Sequence, residues 1–234
     1  MEIQVFSVSI VIPAYNEEKT IGHVIEKTTK VMDSLGLPYE IIVIDDGSID
    51  RTRENASNYK VKVLFNERNM GKGYALRRGF RSACGDIIIT MDADGSHDPE
   101  EIPHLIKPAL EGVDMVTGSR FLGGQKDYTS KLHIFGNKVI NTIIMIVTRK
   151  IITDSQTGLR AIRRETLKKI SLDSSGFEIE TEITVKVLKN GFKLQEIPIN
   201  CRKREHGKSR IRTLHDSIKI FKTIVKSVVK TGSE

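Results

Sequence analysis

The 234-residue chain has no tryptophan, two cysteines, six prolines and 6% aromatic residues. Each shortage excludes something. Two isolated thiols, Cys84 and Cys201, make neither a disulfide framework nor a cysteine metal cluster, and they predict a reducing compartment. The few aromatics do not interleave with the C-terminal lysines, so the base-stacking surface of a nucleic-acid binder is missing and no nucleic-acid partner is expected. No apolar run approaches the ~20 residues that cross a bilayer; the densest, at 143–147, is five residues of Ile, Met and Val. The opening Met-Glu-Ile-Gln-Val has no basic segment before an apolar one, which predicts no signal peptide.

What is present is charge, unevenly spread. Charged residues make up 29% of the chain and the formal net charge is +7. From Cys201 to Glu234 there are ten Lys/Arg against three Asp/Glu, so this last stretch carries an excess as large as that of the whole chain. An anionic partner, such as a nucleotide phosphate or an anionic membrane surface, is the expectation.

Short apolar runs alternate with helical spacing over the first 119 residues. Val8, Ile10, Val11 and Ile12 read as a strand, as do the runs at 40–45, 61–65, 86–91 and 114–118. Ile21, Val24, Ile25, Val31, Met32 and Leu35 fall on one helix face, and helices are expected at 73–83 and from Pro99 to about Glu111. Near-continuous apolar strands separated by helices predict an α/β fold, a Rossmann-like, mostly parallel sheet covered on both faces. Beyond Arg120 the alternation stops. Helices are expected at 133–148 and 178–190, with strands at 158–162 and 192–200. At the C-terminal end, Leu214, Ile218, Phe221, Val225 and Val228 form one face, with Lys219, Lys222, Lys226 and Lys230 towards the other: a basic amphipathic helix.

Ligands of parallel α/β sheets sit at the carboxyl ends of the strands, and three of these ends carry unusual chemistry. The first is PAYNE (13–17), the second DDGS (45–48), the third MDADGSHDP (91–99). Asp92 and Asp94 stand one residue apart, and residues i and i+2 of an extended chain point the same way. Paired carboxylates suit a hard divalent cation, Mg2+ or Mn2+, that keeps open positions for phosphate oxygens. Such a cation neutralises the charge that develops when a diphosphate leaves. Asp45 or Asp46 suits a ribose or base edge, and Glu17 the same region, whereas Glu18 complements a helix dipole. Gly71, Lys72 and Gly73 before a helix make a phosphate-side cradle without the Walker pattern. Asp98 is expected to cap the following helix.

The ordered set PAYNE, DDGS, NMGKGYALRRG, MDADGSHDP and VTGSRF resembles glycosyltransferase family 2, in particular its dolichyl-phosphate mannose synthases. The resemblance implies a GT-A fold over residues 1–212, with a nucleotide-binding half (1–119) and an acceptor half (120–212), followed by the basic helix (213–234). It implies that Pro13, Tyr15, Glu17 and Asp45 line the nucleotide pocket, that Asp92 and Asp94 hold the metal, and that Arg204 reaches the donor diphosphate. Arg120 and Lys131 are implied to bind an acceptor phosphate, with Arg160 in the same region.

The expected reaction moves one sugar from a nucleotide sugar, GDP-mannose first, to dolichyl or polyprenyl phosphate. A UDP-hexose or UDP-N-acetylhexosamine is the alternative donor. The expected location is the cytoplasmic membrane surface, peripherally bound, with or without a membrane-anchoring subunit. Asp154 is open to two readings: a general base for a hydroxyl acceptor, or an ion pair with Arg160. A polyprenyl monophosphate is already an anionic nucleophile and needs no base.

Overall fold

Runs of β-branched residues build the sheet: β1 (Val8–Ala14), β2 (Tyr39–Asp45), β3 (Lys62–Phe65), β4 (Ile87–Thr90), β5 (Met115–Ser119), β6 (Arg160–Arg163) and β7 (Leu194–Pro198). The structure, a computed structural model, describes residues 6–122, 131–202 and 213–230, except for the side chains at 131–133, 213–217 and 228–230. Strand order is β3-β2-β1-β4-β6-β5-β7. The four strands from β3 to β4 are parallel, with Ala14 of β1 in register with Asp45 of β2 and Val11 with Thr90 of β4. Because β2 and β4 flank β1, the chain departs to opposite sides there. That is the switch point at which open α/β sheets bind ligands.

Alternate side chains go to alternate faces. Ile10, Ile12, Ile41 and Val43 pack under α1 (Ile21–Leu35) and α4 (Ile102–Leu110). Val11, Ile42 and Ile44 pack under α3 (Lys72–Ser82) and α7 (Ile179–Lys189). The remaining helices are α2 (Thr52–Ser57), α5 (Lys131–Thr148), α6 (Arg164–Lys168) and α8 (Thr213–Lys230). Asp98 caps the 3-10 turn Pro99–Glu101, accepting from the Glu100 N–H at 3.1 Å. The expected strands and long helices are present within a few residues of their predicted bounds. The short α2 and α6 were not anticipated, since six and five residues carry too little periodicity to read.

The sheet is mostly parallel, as expected, with one reversed strand. β6 runs antiparallel to both β4 and β5, with Thr90 opposite Arg160. The reversal has a consequence for position. The start of β6 lies beside the carboxyl end of β4, and the Thr90 hydroxyl donates to the Gly158 carbonyl at 2.7 Å. The 153–159 segment is thereby delivered to the same edge as β1, β2 and β4.

Helix α8 packs by a face other than the expected one. Ile220 and Ile224 pack against Ile144 of α5, Ile152 and Val185 of α7. The expected face, Ile218, Phe221 and Val225, is about half exposed, as a face for surface contact would be. The helix has two apolar stripes, one spent on packing and one left outward.

Arg160 is a correction to the sequence reading. It is 1% exposed and lies in the core. Its guanidinium donates to the carbonyls of Thr157, Ser155 and Glu180 at 2.9, 2.7 and 2.8 Å and to the Thr184 hydroxyl at 3.1 Å. These acceptors tie the 155–157 turn to α7 and leave the guanidinium enclosed, away from any acceptor phosphate. Arg160→Ala should lower unfolding free energy by about 3–5 kcal/mol in urea titrations, the cost of stripping a buried charged donor from its partners. An unchanged urea midpoint would contradict this role.

Candidate active site

The switch point gathers the three sequence motifs. At the end of β1, the Asn16 N–H donates to the Ser48 hydroxyl at 2.8 Å and the Ile49 N–H to Asn16 Oδ1 at 2.9 Å, which stitches the first loop to the second. Glu17 is buried and its N–H donates to the Thr52 hydroxyl at 2.7 Å. Pro13 and Tyr15 are half-buried along the same loop. Asp45 is buried, with Oδ1 accepting from the Ser48 N–H at 3.2 Å. A cavity of about 630 Å³ opens beside it, lined in part by Asp45, Ser48, Arg53, Phe65 and Asn66.

Asp46 has a different task from its neighbour. Its carboxylate accepts from Asn66 Nδ2 at 2.6 Å and from the Met70 and Gly71 N–H groups at 3.0 and 2.8 Å. That clamp holds the turn into α3 rather than a ribose. The turn is fixed from its other side as well. Gly71 has φ of +97°, and a Cβ there would lie 2.3 Å from the Ser175 carbonyl oxygen. Lys72, the first residue of α3, is consequently aimed at the tip of β4.

There, Lys72 Nζ lies 2.6 Å from Asp92 Oδ1 and 2.6 Å from Glu180 Oε1. Burial alone would raise the Asp92 carboxyl, but the Lys72 ammonium outweighs it and, with His97 and Arg120 nearby, holds the group down at about 2. Burial also penalises the Lys72 ammonium, yet Asp92 and Glu180 push its pKa up. Each charge makes the other tolerable. His97 is buried and accepts the Asp92 N–H on Nδ1 at 3.3 Å. Burial lowers its pKa and favours the neutral ring that this contact requires. Asp94 accepts from the Ser96 N–H and hydroxyl at 3.0 and 2.6 Å, which turns the loop back on itself. Gly158 leaves room for the pair: a Cβ would sit 2.7 Å from Asp92 Oδ2.

Arg120 and Asp154 form a second charged unit. Arg120 Nε and Nη2 donate to Asp154 Oδ2 and Oδ1 at 2.6 and 2.9 Å, a two-pronged pair. Asn137 Nδ2 donates to the same carboxylate at 3.0 Å. Asp154 is 0% exposed. Burial opposes its charge, but the Arg120 contacts win and its pKa is lowered. Both sequence readings of Asp154 are therefore corrected: its partner is Arg120, not Arg160, and an occupied, low-pKa carboxylate is a poor base. It positions Arg120. The Arg204 side chain and that of Lys131 lie outside the described residues. The chain leading to Arg204 is held at the site, with the Arg202 N–H on the Ser96 carbonyl at 2.9 Å and Cys201 bridged to His97.

Glu180 was missed. It is 3% exposed, in the first turn of α7, with Glu178 and Glu182 buried on either side. The signal was present in FEIETEI (177–183). At 100° per residue, Glu178 and Glu180 point about 200° apart, so no single wet face can hold both.

Comparison with known proteins gives the family. The model of glycosyl transferase family 2 matches residues 9–171. The chain belongs to glycosyl transferase family 2 and is a glycosyltransferase of GT-A fold. An uncharacterised protein of Methanocaldococcus jannaschii is 38% identical over 97% of this chain and 95% of its own. The dolichol-phosphate mannosyltransferase of Pyrococcus furiosus is 36% identical over 88% of this chain. The undecaprenyl-phosphate 4-deoxy-4-formamido-L-arabinose transferase of Salmonella paratyphi B is 37% identical over 87%. The match spans 59% and 62% of the length of these last two. Among solved structures, glucosyl-3-phosphoglycerate synthase from Mycobacterium tuberculosis, in complex with Mn2+, UDP and phosphoglyceric acid, superimposes with a TM-score of 0.78 at 25% identity. That likeness covers 95% of this chain and 78% of the synthase.

The lowered pKa of Asp154 gives a pH prediction. A carboxyl whose folded pKa is depressed contributes stability above its unfolded value, near ~3.9, and loses it as pH falls through the folded value. Wild-type urea midpoints should therefore drop more steeply below pH 4 than those of Asp154→Asn, whose stability is lower at neutral pH. Parallel pH profiles for the two proteins would contradict the assignment.

Proposed function

We propose that the chain transfers a single sugar from a nucleotide sugar to a polyprenyl or dolichyl phosphate, at the cytoplasmic face of a membrane and with a divalent cation. The observation that carries the acceptor assignment is the Arg120–Asp154 pair. It presents an oriented guanidinium near Asp92, and it consumes the one carboxylate that a hydroxyl acceptor would have used as base. A phosphate acceptor needs a cation to aim it and no base. Two curated relatives whose names specify dolichol-phosphate and undecaprenyl-phosphate transfer support the same acceptor class.

The residues fit a metal. Asp92 and Asp94 are hard oxygen donors, Asp92 already accepts a cation, and Gly158 keeps the space beside it free of a side chain. Among the described residues no group of three or more His, Cys, Asp and Glu is arranged to hold an ion by itself. Two carboxylates plus phosphate oxygens and water are the usual set for Mg2+ or Mn2+ in phosphate chemistry. The synthase crystallised with Mn2+ and UDP supports a divalent ion here. When bound, the ion would offset charge on the departing diphosphate.

The chain's own residues do the rest. The loops carrying Pro13, Tyr15, Glu17 and Asp45 seat the nucleoside. Arg120 aligns the acceptor phosphate oxygen with the anomeric carbon, assisted by Lys131, while Arg204 approaches the diphosphate. A bond forms from that oxygen to the anomeric carbon as the bond to the diphosphate breaks, with inversion, and the electron pair leaves on the nucleoside diphosphate. GDP-mannose is the first donor to test and a UDP-sugar the second.

Helices α5 and α8 supply the membrane side of the account. Phe135, Ile146 and Ile151 are exposed at 65%, 70% and 81%, and α8 adds Phe221 at 54%. Lys219, Lys222 and Lys226 are exposed on α8 as well. Exposed apolar side chains together with lysines suit an anionic lipid surface. No helix of the described residues is long and apolar enough to cross a membrane. We read α8 as a surface helix appended to the transferase body.

Polyprenyl phosphate in mixed vesicles, incubated with labelled GDP-mannose and UDP-glucose, should yield an organic-soluble, mild-acid-labile product with one donor. Asp94→Asn and Arg120→Ala should each cut kcat/KM by about 10²–10³-fold, and excess EDTA should abolish turnover. Absence of lipid-linked product from any donor would reject the acceptor, and full activity in EDTA would reject the metal.

A further inference from the structure

We propose that Lys72 is a built-in competitor for the cation site, seated between Asp92 and Glu180 until a nucleoside diphosphate arrives. The inference rests on the metal-dependent reading and adds an order of binding to it. Lys72 Nζ is 2.6 Å from Asp92 Oδ1, one of the oxygens assigned to the metal, and 2.6 Å from Glu180 Oε1. Glu180 is 3% exposed, and among the described residues no donor other than the Lys72 ammonium is placed against its carboxylate. The Lys72 ammonium is the cation this buried carboxylate is placed against. Glu180 contacts Lys72 rather than Asp92, whose N–H is held by His97 Nδ1 and whose carboxylate lies beside Gly158. Its position makes sense as a second berth for the lysine.

The backbone of Lys72 has no room to retreat. The Asp46 clamp on the Gly71 N–H and the contact of Gly71 and Gly73 with the Ser174 and Ser175 backbone hold the turn. Any exchange is therefore a swing of the side chain. A divalent ion and an ammonium on the same carboxylate oxygen repel each other strongly. With no other anion present, the lysine defends Asp92 and metal affinity stays low. A diphosphate brings oxygens that both cations share, so the metal can take Asp92 while Lys72 keeps Glu180 and faces the phosphates. By linkage the metal tightens nucleotide binding by the same factor that the nucleotide tightens metal binding. The site would then fill with donor and metal together.

The test is Mn2+ binding, read from the EPR signal of the free ion, with and without GDP or UDP. Wild type should bind Mn2+ weakly alone, and the matching nucleoside diphosphate should strengthen binding roughly 5–150-fold. The double variant Lys72→Met/Glu180→Gln removes one charge of each sign, so the net charge of the cluster is kept while Asp92 is freed of its lysine. It should bind Mn2+ alone more tightly than wild type, within the same range, and gain less from nucleotide. Glu180→Gln alone should move the other way, because the lysine then has only Asp92 to hold. If Lys72 merely braces Asp92, the double variant binds Mn2+ no better or worse than wild type, and the proposal is overturned. Should the double variant fail to fold by circular dichroism, Glu180→Gln decides: unchanged or tighter Mn2+ binding overturns it. A wild-type protein that takes up no Mn2+ even with nucleotide defeats the metal-dependent reading itself. Uptake by wild type without divergence of the variants defeats only the role of Lys72.

Discussion

A carboxylate kept charged in a largely enclosed site constrains everything around it, and Asp92, with its side chain 28% exposed, is that group. Desolvation works against its charge, and Lys72 cancels the penalty from 2.6 Å away. To place that lysine, the chain spends Asp46 on two backbone N–H groups and uses glycines at 71 and 73 so that the turn can lie against the 174–175 backbone. To make room for Asp92, it places Gly158 at the start of an antiparallel strand. The site is less a set of residues on loops than one electrostatic problem solved by four elements.

The acceptor side follows the same logic one step removed. Asp154 is fully buried and would be costly there alone. Arg120, Asn137 and the turn at 156 share its two oxygens. What this fixes is the direction of the Arg120 guanidinium, which a flexible surface arginine would not have. Orientation of a cation, rather than removal of a proton, is what an anionic nucleophile calls for.

Much of this was legible in the chain. Strands with near-continuous Ile and Val, and carboxylates at three of their ends, point to the sheet, its switch point and Asp45, Asp92 and Asp94 before any coordinates. Contacts between distant segments were not legible. Asp45 and Asp46 are adjacent in sequence, yet one faces the cavity and the other clamps residues 20 to 25 positions away. Arg160 looked like a phosphate ligand because arginine near a loop usually reaches solvent; strand reversal at β6 turned it into the core instead. Asp154 found its partner 34 residues upstream, where spacing gives no hint. Glu180 stands beside Glu178 and Glu182 at the start of α7, and the sequence alone does not say which of them meets a lysine.

The central claim is that the tip of β4 is where a divalent cation meets a departing diphosphate. Crystals of the full chain grown with Mn2+ and the matching nucleoside diphosphate, measured at a wavelength with strong manganese anomalous signal, test it most directly. The account predicts a single dominant peak touching an Asp92 or Asp94 oxygen and a diphosphate oxygen, with the Lys72 ammonium withdrawn from Asp92. A diphosphate seated at the switch point with no peak there, or manganese bound only elsewhere, would contradict it.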